Sequence, residues 1–163
     1  WDVFKPFLKT EAGEWDRLIA INLVGALNMH HAVLPGMVER KSGRIVNVAS
    51  DAARVGSSGE AVYAACKGGL VALTKTLARE HSRHNITLNV VCPGPTDTAL
   101  LAGVAEGAAN PEKLIEAFTK AIPLGRLGQG DDLASAIAFF GSSDASFITG
   151  QVLSVSGGLT MNG

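Results

Sequence analysis

Three side chains carry the sharpest chemistry in this sequence. Tyr63 is the only tyrosine among 163 residues, and Lys67 follows it four positions later. Ser50 stands thirteen positions before the tyrosine, at the end of the run RIVNVAS. On a helix, residues four apart share a face. A free phenol titrates near pH ~10 and is a poor base at neutral pH. An ammonium one turn away favours the phenolate, so the spacing predicts a lowered tyrosine pKa. The pair can then exchange a proton with a substrate oxygen, and a serine hydroxyl at the strand end can hold that oxygen. These are parts for interconverting an alcohol and a ketone, with the hydride coming from elsewhere. Each residue also has a plainer reading: Tyr63 and Lys67 as a helix surface, Ser50 as a serine that starts a turn. A hydrolase built on Ser50 is disfavoured, because the sequence holds no G-x-S-x-G elbow and no histidine in a recognisable base position.

The elements that must position these residues follow from pattern. Residues 11–40 place Ile19, Leu23, Leu27 and Leu34 at helical spacing. Residues 44–50 are short, apolar and β-branched, as in a buried strand. A second helix is expected over 62–83. A second buried strand over 85–94 is stopped by Pro93 and Gly94. Residues 98–120 read as helical, broken at Gly103, Gly107 and Pro111. Residues 131–142 open on two aspartates and continue as a helix. Residues 150–158 form the last strand, and Gly157 and Gly158 read as a turn. Strands separated by helices predict an α/β fold with parallel strands. Ligands in such sheets bind beyond the carboxyl ends of the strands. Ser50 and the segment PGPTDT (93–98) belong to that rim.

Composition sets the outer limits. Hydrophobic residues make up 47% and charged residues 18%, as in a globular domain with a real core. The net charge of −1 and the absence of a basic run weigh against nucleic acid or an anionic membrane as partner. No apolar run approaches the roughly 20 residues of a membrane span. Cys66 and Cys92 make no disulfide framework, which suits a reducing cytoplasm, and they read as small core residues. His30 and His31 are adjacent and face different ways. His81 and His84 flank a helix end beside Glu80, where a solvated terminus is the simpler reading, so no metal is expected. Arg54 could attract an acyl-CoA phosphate or simply face solvent.

Taken together, these segments resemble the short-chain dehydrogenase/reductase family. The resemblance rests on INLVG, GRIVNVAS, YAACK, PGPTDT and ITGQVLSVSGG in that order, and it covers the whole chain. It implies Tyr63 as general acid/base, Ser50 as the hydroxyl that positions the substrate oxygen, and Lys67 as the cation that tunes Tyr63 and holds the nicotinamide ribose. It implies Asn22 as the anchor of a water in the proton relay. Pro93, Gly94, Thr96 and Thr98 would line the nicotinamide, with Thr98 near its carboxamide. The implied cofactor is NAD, with NADP not excluded. The implied substrate is a small alcohol or ketone, with an acyl-CoA among the candidates. Within the family, FKPFLKTE, HHAVLPGMVER, SDAARVGSSGEAVYAACKGGLVA and AANPEKLIEAFTKAIPLGRLG resemble the 2-hydroxycyclohexane-1-carboxyl-CoA dehydrogenases more than the generic 3-oxoacyl reductases.

The departure from the family pattern is equally specific. The Gly-rich turn that cradles a dinucleotide pyrophosphate is absent from this sequence. Residues 1–163 are therefore expected to be a single incomplete Rossmann-type domain, the C-terminal part of a doubly wound fold. Three parallel strands, the last three of the family order 3-2-1-4-5-6-7, would remain. The family implies a homodimer or homotetramer, associating through helices 11–40 and 62–83, whose apolar stripes are wide. Two other readings stay open: a 3-oxoacyl reductase-like enzyme, and a catalytically silent chain that acts only in assembly.

Overall fold

The computed structural model describes residues 1–108 and 110–161. A helix, α1 (Ala12–Ile19), passes through one π turn (Ala20–Val24) into α2 (Gly25–Glu39). Strand β1 (Gly43–Val48) is followed by the short α3 (Ala52–Val55) and the long α4 (Ala61–His81). Strand β2 (Ile86–Pro93) leads to α5 (Ala99–Glu106), α6 (Pro111–Ala121), α7 (Gly130–Gly141) and finally β3 (Val152–Val155).

The strands form one parallel sheet in the order β1-β2-β3. Gly43 pairs with Ile86 and Val48 with Val91, while Val90 pairs with Val152 and Pro93 with Val155. β2 is central and covered on both faces. Thr87 and Asn89, which alternate with Ile86, Leu88 and Val90, are buried as well, and Asn89 is satisfied by donating to the Ile148 carbonyl at 2.9 Å and accepting the Gln151 N–H at 3.1 Å. Its residues still sort by parity. Leu88, Val90 and Cys92 meet Leu34 of α2 and Leu70 and Ala78 of α4. Val91 meets Leu133 and Phe140 of α7 on the opposite face. Helices thus cover both faces of a parallel sheet, the doubly wound architecture expected from the element order. Leu88, Val90 and Val91 are fully buried, and each such side chain contributes about 1.5–3 kcal/mol.

One polar network lies inside this core. The Asn47 side-chain amide on β1 reaches His30 Nε2 on α2 at 3.0 Å and Thr74 Oγ1 on α4 at 2.8 Å. Thr74 donates in turn to the Leu70 carbonyl at 2.7 Å, and His30 Nδ1 meets the Ala26 carbonyl at 2.6 Å. These bonds assign His30 the tautomer with its proton on Nδ1, leaving Nε2 as acceptor. Two helices and a strand are thereby held in one register just below the rim of the sheet.

The structure corrects the sequence reading in three places. Among the described residues, 98–120 is broken between Glu106 and Pro111, as Gly107 and Pro111 suggested, with Pro111 at the first turn of α6, where a missing N–H costs nothing; Gly103, expected to break the helix, lies within α5. The segment after Ser50 forms α3, one turn long, too short to leave a periodic signature. The third concerns membrane span length. Ala12–Glu39 is one continuous helical stretch of 28 residues, long and apolar enough by composition to cross a membrane. Asn22, His30 and Pro35 interrupt the apolar run in the sequence without interrupting the helix. Asn22, His30 and Leu34 are buried in this stretch, while Ile21, Val24 and Met29 form an exposed apolar face.

Candidate active site

Ser50 sits at the carboxyl end of β1 because the chain stays tied to β2 beyond the last paired residue. The Ala49 N–H donates to the Val91 carbonyl at 2.8 Å, and the Asp51 N–H to the Pro93 carbonyl at 2.9 Å. The Ser50 hydroxyl accepts the Ala52 N–H at 3.2 Å, which turns the chain into α3. It also makes a hydrogen bond with the Tyr63 hydroxyl. Tyr63 lies one turn into α4 and is 8% exposed. Lys67 is one turn further along the same face, half-buried, with its ammonium 5.5 Å from the centre of the Tyr63 ring. That ammonium donates to the Val48 carbonyl at 3.1 Å, at the end of β1.

The electrostatics reverse one expectation. Tyr63 is not lowered: burial pushes it up to about 12, the Ser50 hydrogen bond opposes that rise, and the negative charges of Glu60 and Asp2 add to it. The Lys67 ammonium stands over the ring and is committed to Val48, so it does not offset the desolvation of the phenol oxygen. Burial also lowers Lys67 from its ordinary value. At neutral pH Tyr63 is therefore a protonated phenol, a donor.

Asn22 lies in the π turn. Its side-chain amide donates to the Trp1 carbonyl at 2.9 Å and to the Leu18 carbonyl at 3.2 Å. It therefore clamps the N-terminal segment against the helix while forming part of the cleft wall.

The Pro-Gly segment closes the opposite side. The Gly94 N–H donates to the Val155 carbonyl at 3.2 Å, and a Cβ on Gly94 would stand 2.7 Å from the Ser156 Cβ, so only glycine fits. The Thr96 hydroxyl donates to the Gly94 carbonyl at 2.9 Å, and Thr98 caps α5 by accepting the Leu101 N–H at 3.4 Å. Arg54 is part-buried and tied to β3. Its guanidinium donates to Ser154 Oγ at 2.9 Å, and Ser154 donates to Asp51 at 2.5 Å, which fastens α3 to β3.

A cleft of about 780 Å³ brings all of these together. Asn22, Ser50, Tyr63 and Lys67 share its wall with Pro93, Gly94, Thr96 and Thr98. The set fits the nicotinamide and ribose of a dinucleotide: an ammonium and hydroxyls for a sugar diol, and a glycine with no side chain where backbone must be approached. Two residues given no role by the sequence reading, Asp2 and Glu60, line the same cleft. Glu60 stands three positions before Tyr63, so its shared helix face was available as a signal. Asp2 had none, because its approach depends on a contact between distant segments.

The family described as enoyl-(acyl carrier protein) reductase matches residues 2–160. An acetoacetyl-CoA reductase of Shinella zoogloeoides is 40% identical over 152 residues, covering 93% of this chain and 61% of the relative. A 2,3-dihydroxy-2,3-dihydro-p-cumate dehydrogenase of Pseudomonas putida is 40% identical over 159 residues, covering 98% of this chain and 60% of the relative. The crystal structure of a 3-oxoacyl-acyl-carrier-protein reductase from Brucella melitensis superposes with a TM-score of 0.89 at 35% identity, covering 99% of this chain and 58% of that one. The chain thus spans about three fifths of the length of the relatives it matches. With the parallel sheet, the Ser50–Tyr63–Lys67 cleft and matches across almost its whole length, this chain belongs to the short-chain dehydrogenase/reductase family.

Proposed function

We propose that the full-length protein is an NAD(P)-dependent oxidoreductase that interconverts a secondary alcohol and a ketone on an acyl thioester. The observation that carries this is the convergence of the Ser50 hydroxyl, the buried phenol of Tyr63 and the Lys67 ammonium on one cleft. When bound, the nicotinamide would supply or take up the hydride. Ser50 holds the substrate oxygen by a hydrogen bond. Tyr63, protonated at neutral pH, gives its proton to that oxygen as a ketone is reduced and recovers it in the reverse direction. Lys67, held at the end of β1 by the Val48 carbonyl, would bear on the nicotinamide ribose. Asn22 would anchor the water that returns the proton to Lys67 and Tyr63. Thr98 would meet the carboxamide.

The acyl group would lie along the apolar side of the cleft, beside Phe4, Val55, Leu101 and Phe118. The names of the acyl-CoA and acyl-carrier-protein relatives support a thioester substrate. The quoted sequence stretches support a ring such as 2-hydroxycyclohexanecarboxyl-CoA, with a linear 3-oxoacyl chain as the second reading. The exposed apolar face of α1 and α2 supports a homodimer or homotetramer. We further propose that residues 1–163 are the C-terminal part of one domain whose pyrophosphate grip lies in the segment that completes the relatives' length.

Tyr63→Phe tests the reading. It removes only the phenol oxygen, so turnover should fall on the order of 100-fold or more while cofactor still binds. Turnover like the wild type would overturn the assignment.

A further inference from the structure

The cleft carries an unusual charge inventory. Among the described residues that line it, Asp2, Asp51 and Glu60 are acidic and Lys67 is the cation. Lys67 is spent on the Val48 carbonyl and the Tyr63 face, and Asp51 is held by Ser154. Asp2 and Glu60 remain, and the fold forces them together. The Lys5 N–H donates to the Gly59 carbonyl at 2.8 Å, and Asn22 grips the Trp1 carbonyl at 2.9 Å. This pins residues 1–5 across the start of α4. Asp2 Oδ1 takes the Val3 N–H at 2.7 Å, whereas Oδ2 is buried with no donor facing it. The Glu60 carboxyl lies close enough to Asp2 to feel its negative charge. Two carboxyl groups this close disfavour full ionisation, so one of them keeps its proton to a higher pH than an isolated carboxyl.

We propose that the Asp2–Glu60 carboxyl pair is a specificity filter that admits a neutral ester or thioester next to the reacting carbonyl and rejects a free carboxylate there. This rests on the ketone–alcohol reading above. A carboxylate drawn towards Tyr63 would approach one or two negative charges and find no unspent ammonium or guanidinium in the wall. A thioester brings no charge, and its apolar chain gains from the neighbouring Phe4 and Val55. The filter strengthens with pH. Glu60 is pushed up to about 7 by its burial and by Asp2, so it gains its negative charge as pH rises through that value. The groups that face Glu60 are Asp2 from the N-terminal segment and Tyr63 on its own helix. Lys5, nearby in sequence to Asp2, turns its ammonium away to Glu14 at 2.6 Å.

The test uses the full-length protein with ethyl acetoacetate and acetoacetate as matched probes. Reduction is followed by cofactor oxidation at pH 6 and 8, and binding of ethyl 3-hydroxybutyrate and 3-hydroxybutyrate by calorimetry. The ester should exceed the acid in kcat/KM by at least about tenfold at pH 8, the scale of one like-charge contact in a half-buried site. That ratio should shrink severalfold at pH 6, in Glu60→Gln and in Asp2→Asn, and the binding ratio should move in parallel. Equal use of ester and acid by the wild type would overturn the filter, as would a ratio unchanged in both variants. If neither ketone is reduced, the reaction reading fails, and the binding comparison still decides the filter.

Discussion

Thr74→Val isolates one buried hydrogen bond beneath the active site. Thr74 is fully buried, and valine has nearly its shape, so the change opens no cavity. The lost hydroxyl makes two bonds. Its donation to the Leu70 carbonyl duplicates the helical bond there, so that carbonyl stays satisfied. Its acceptance of the Asn47 amide at 2.8 Å is not duplicated. Asn47 keeps His30 on its other amide hydrogen, and the freed N–H faces an apolar methyl. Orphaning one buried donor costs about 1–3 kcal/mol. For a protein of this size class about 2 kcal/mol lowers Tm by roughly 4–8 °C. Thr76→Val is the matched control. Thr76 makes the same back-bond, to the Ala72 carbonyl at 3.1 Å, but is exposed, and it should change stability by less than about 0.5 kcal/mol. Melting both variants of the full-length protein by circular dichroism gives the comparison. Equal shifts for Thr74→Val and Thr76→Val would refute the assigned role of the buried network.

Lys67→Met should lower turnover and weaken nicotinamide binding together, because one ammonium is assigned both tasks; unchanged cofactor affinity by fluorescence titration would strip it of the ribose contact. Alkaline stability should depend on Tyr63. Its folded pKa of about 12 lies above the ordinary value of 10.0, so its contribution is complete below about pH 10 and is lost as pH rises to about 12. Two pKa units correspond to about 2–3 kcal/mol. Chemical denaturation at pH 9 and 11.5 should show a smaller fall for Tyr63→Phe than for the wild type; identical falls would contradict the burial argument.

What could be read from the sequence was whatever depends on local period. Tyr63 and Lys67 share a face because a helix repeats every 3.6 residues, and β2 announces itself as a short, mostly apolar stretch stopped by Pro93 and Gly94. Ser50 is legible through its place at the end of a strand. The misreadings come from quantities that need three dimensions. Whether Lys67 lowers or fails to lower the Tyr63 pKa depends on how much water reaches the phenol, and spacing carries no such information. The fate of Arg54 depends on Ser154, which lies a hundred positions along the chain. Gly103 looked like a breaker because glycine weakens helices on average, yet its flanking residues carry the turn through it.

The contact between Gly94 and Ser156 has an evolutionary consequence. The cleft floor there is bare backbone against the end of β3, with no room for even a methyl group. Substitution cannot remodel such a floor gradually, because the smallest step already collides. The neighbouring walls are different. Leu100 on α5 is 46% exposed and Phe4 is 43% exposed, so larger or smaller side chains can be exchanged there without disturbing the sheet. A mutagenic library aimed at altered selectivity therefore belongs at residues 1–5 and 99–106, in the walls, with 93–94 left untouched.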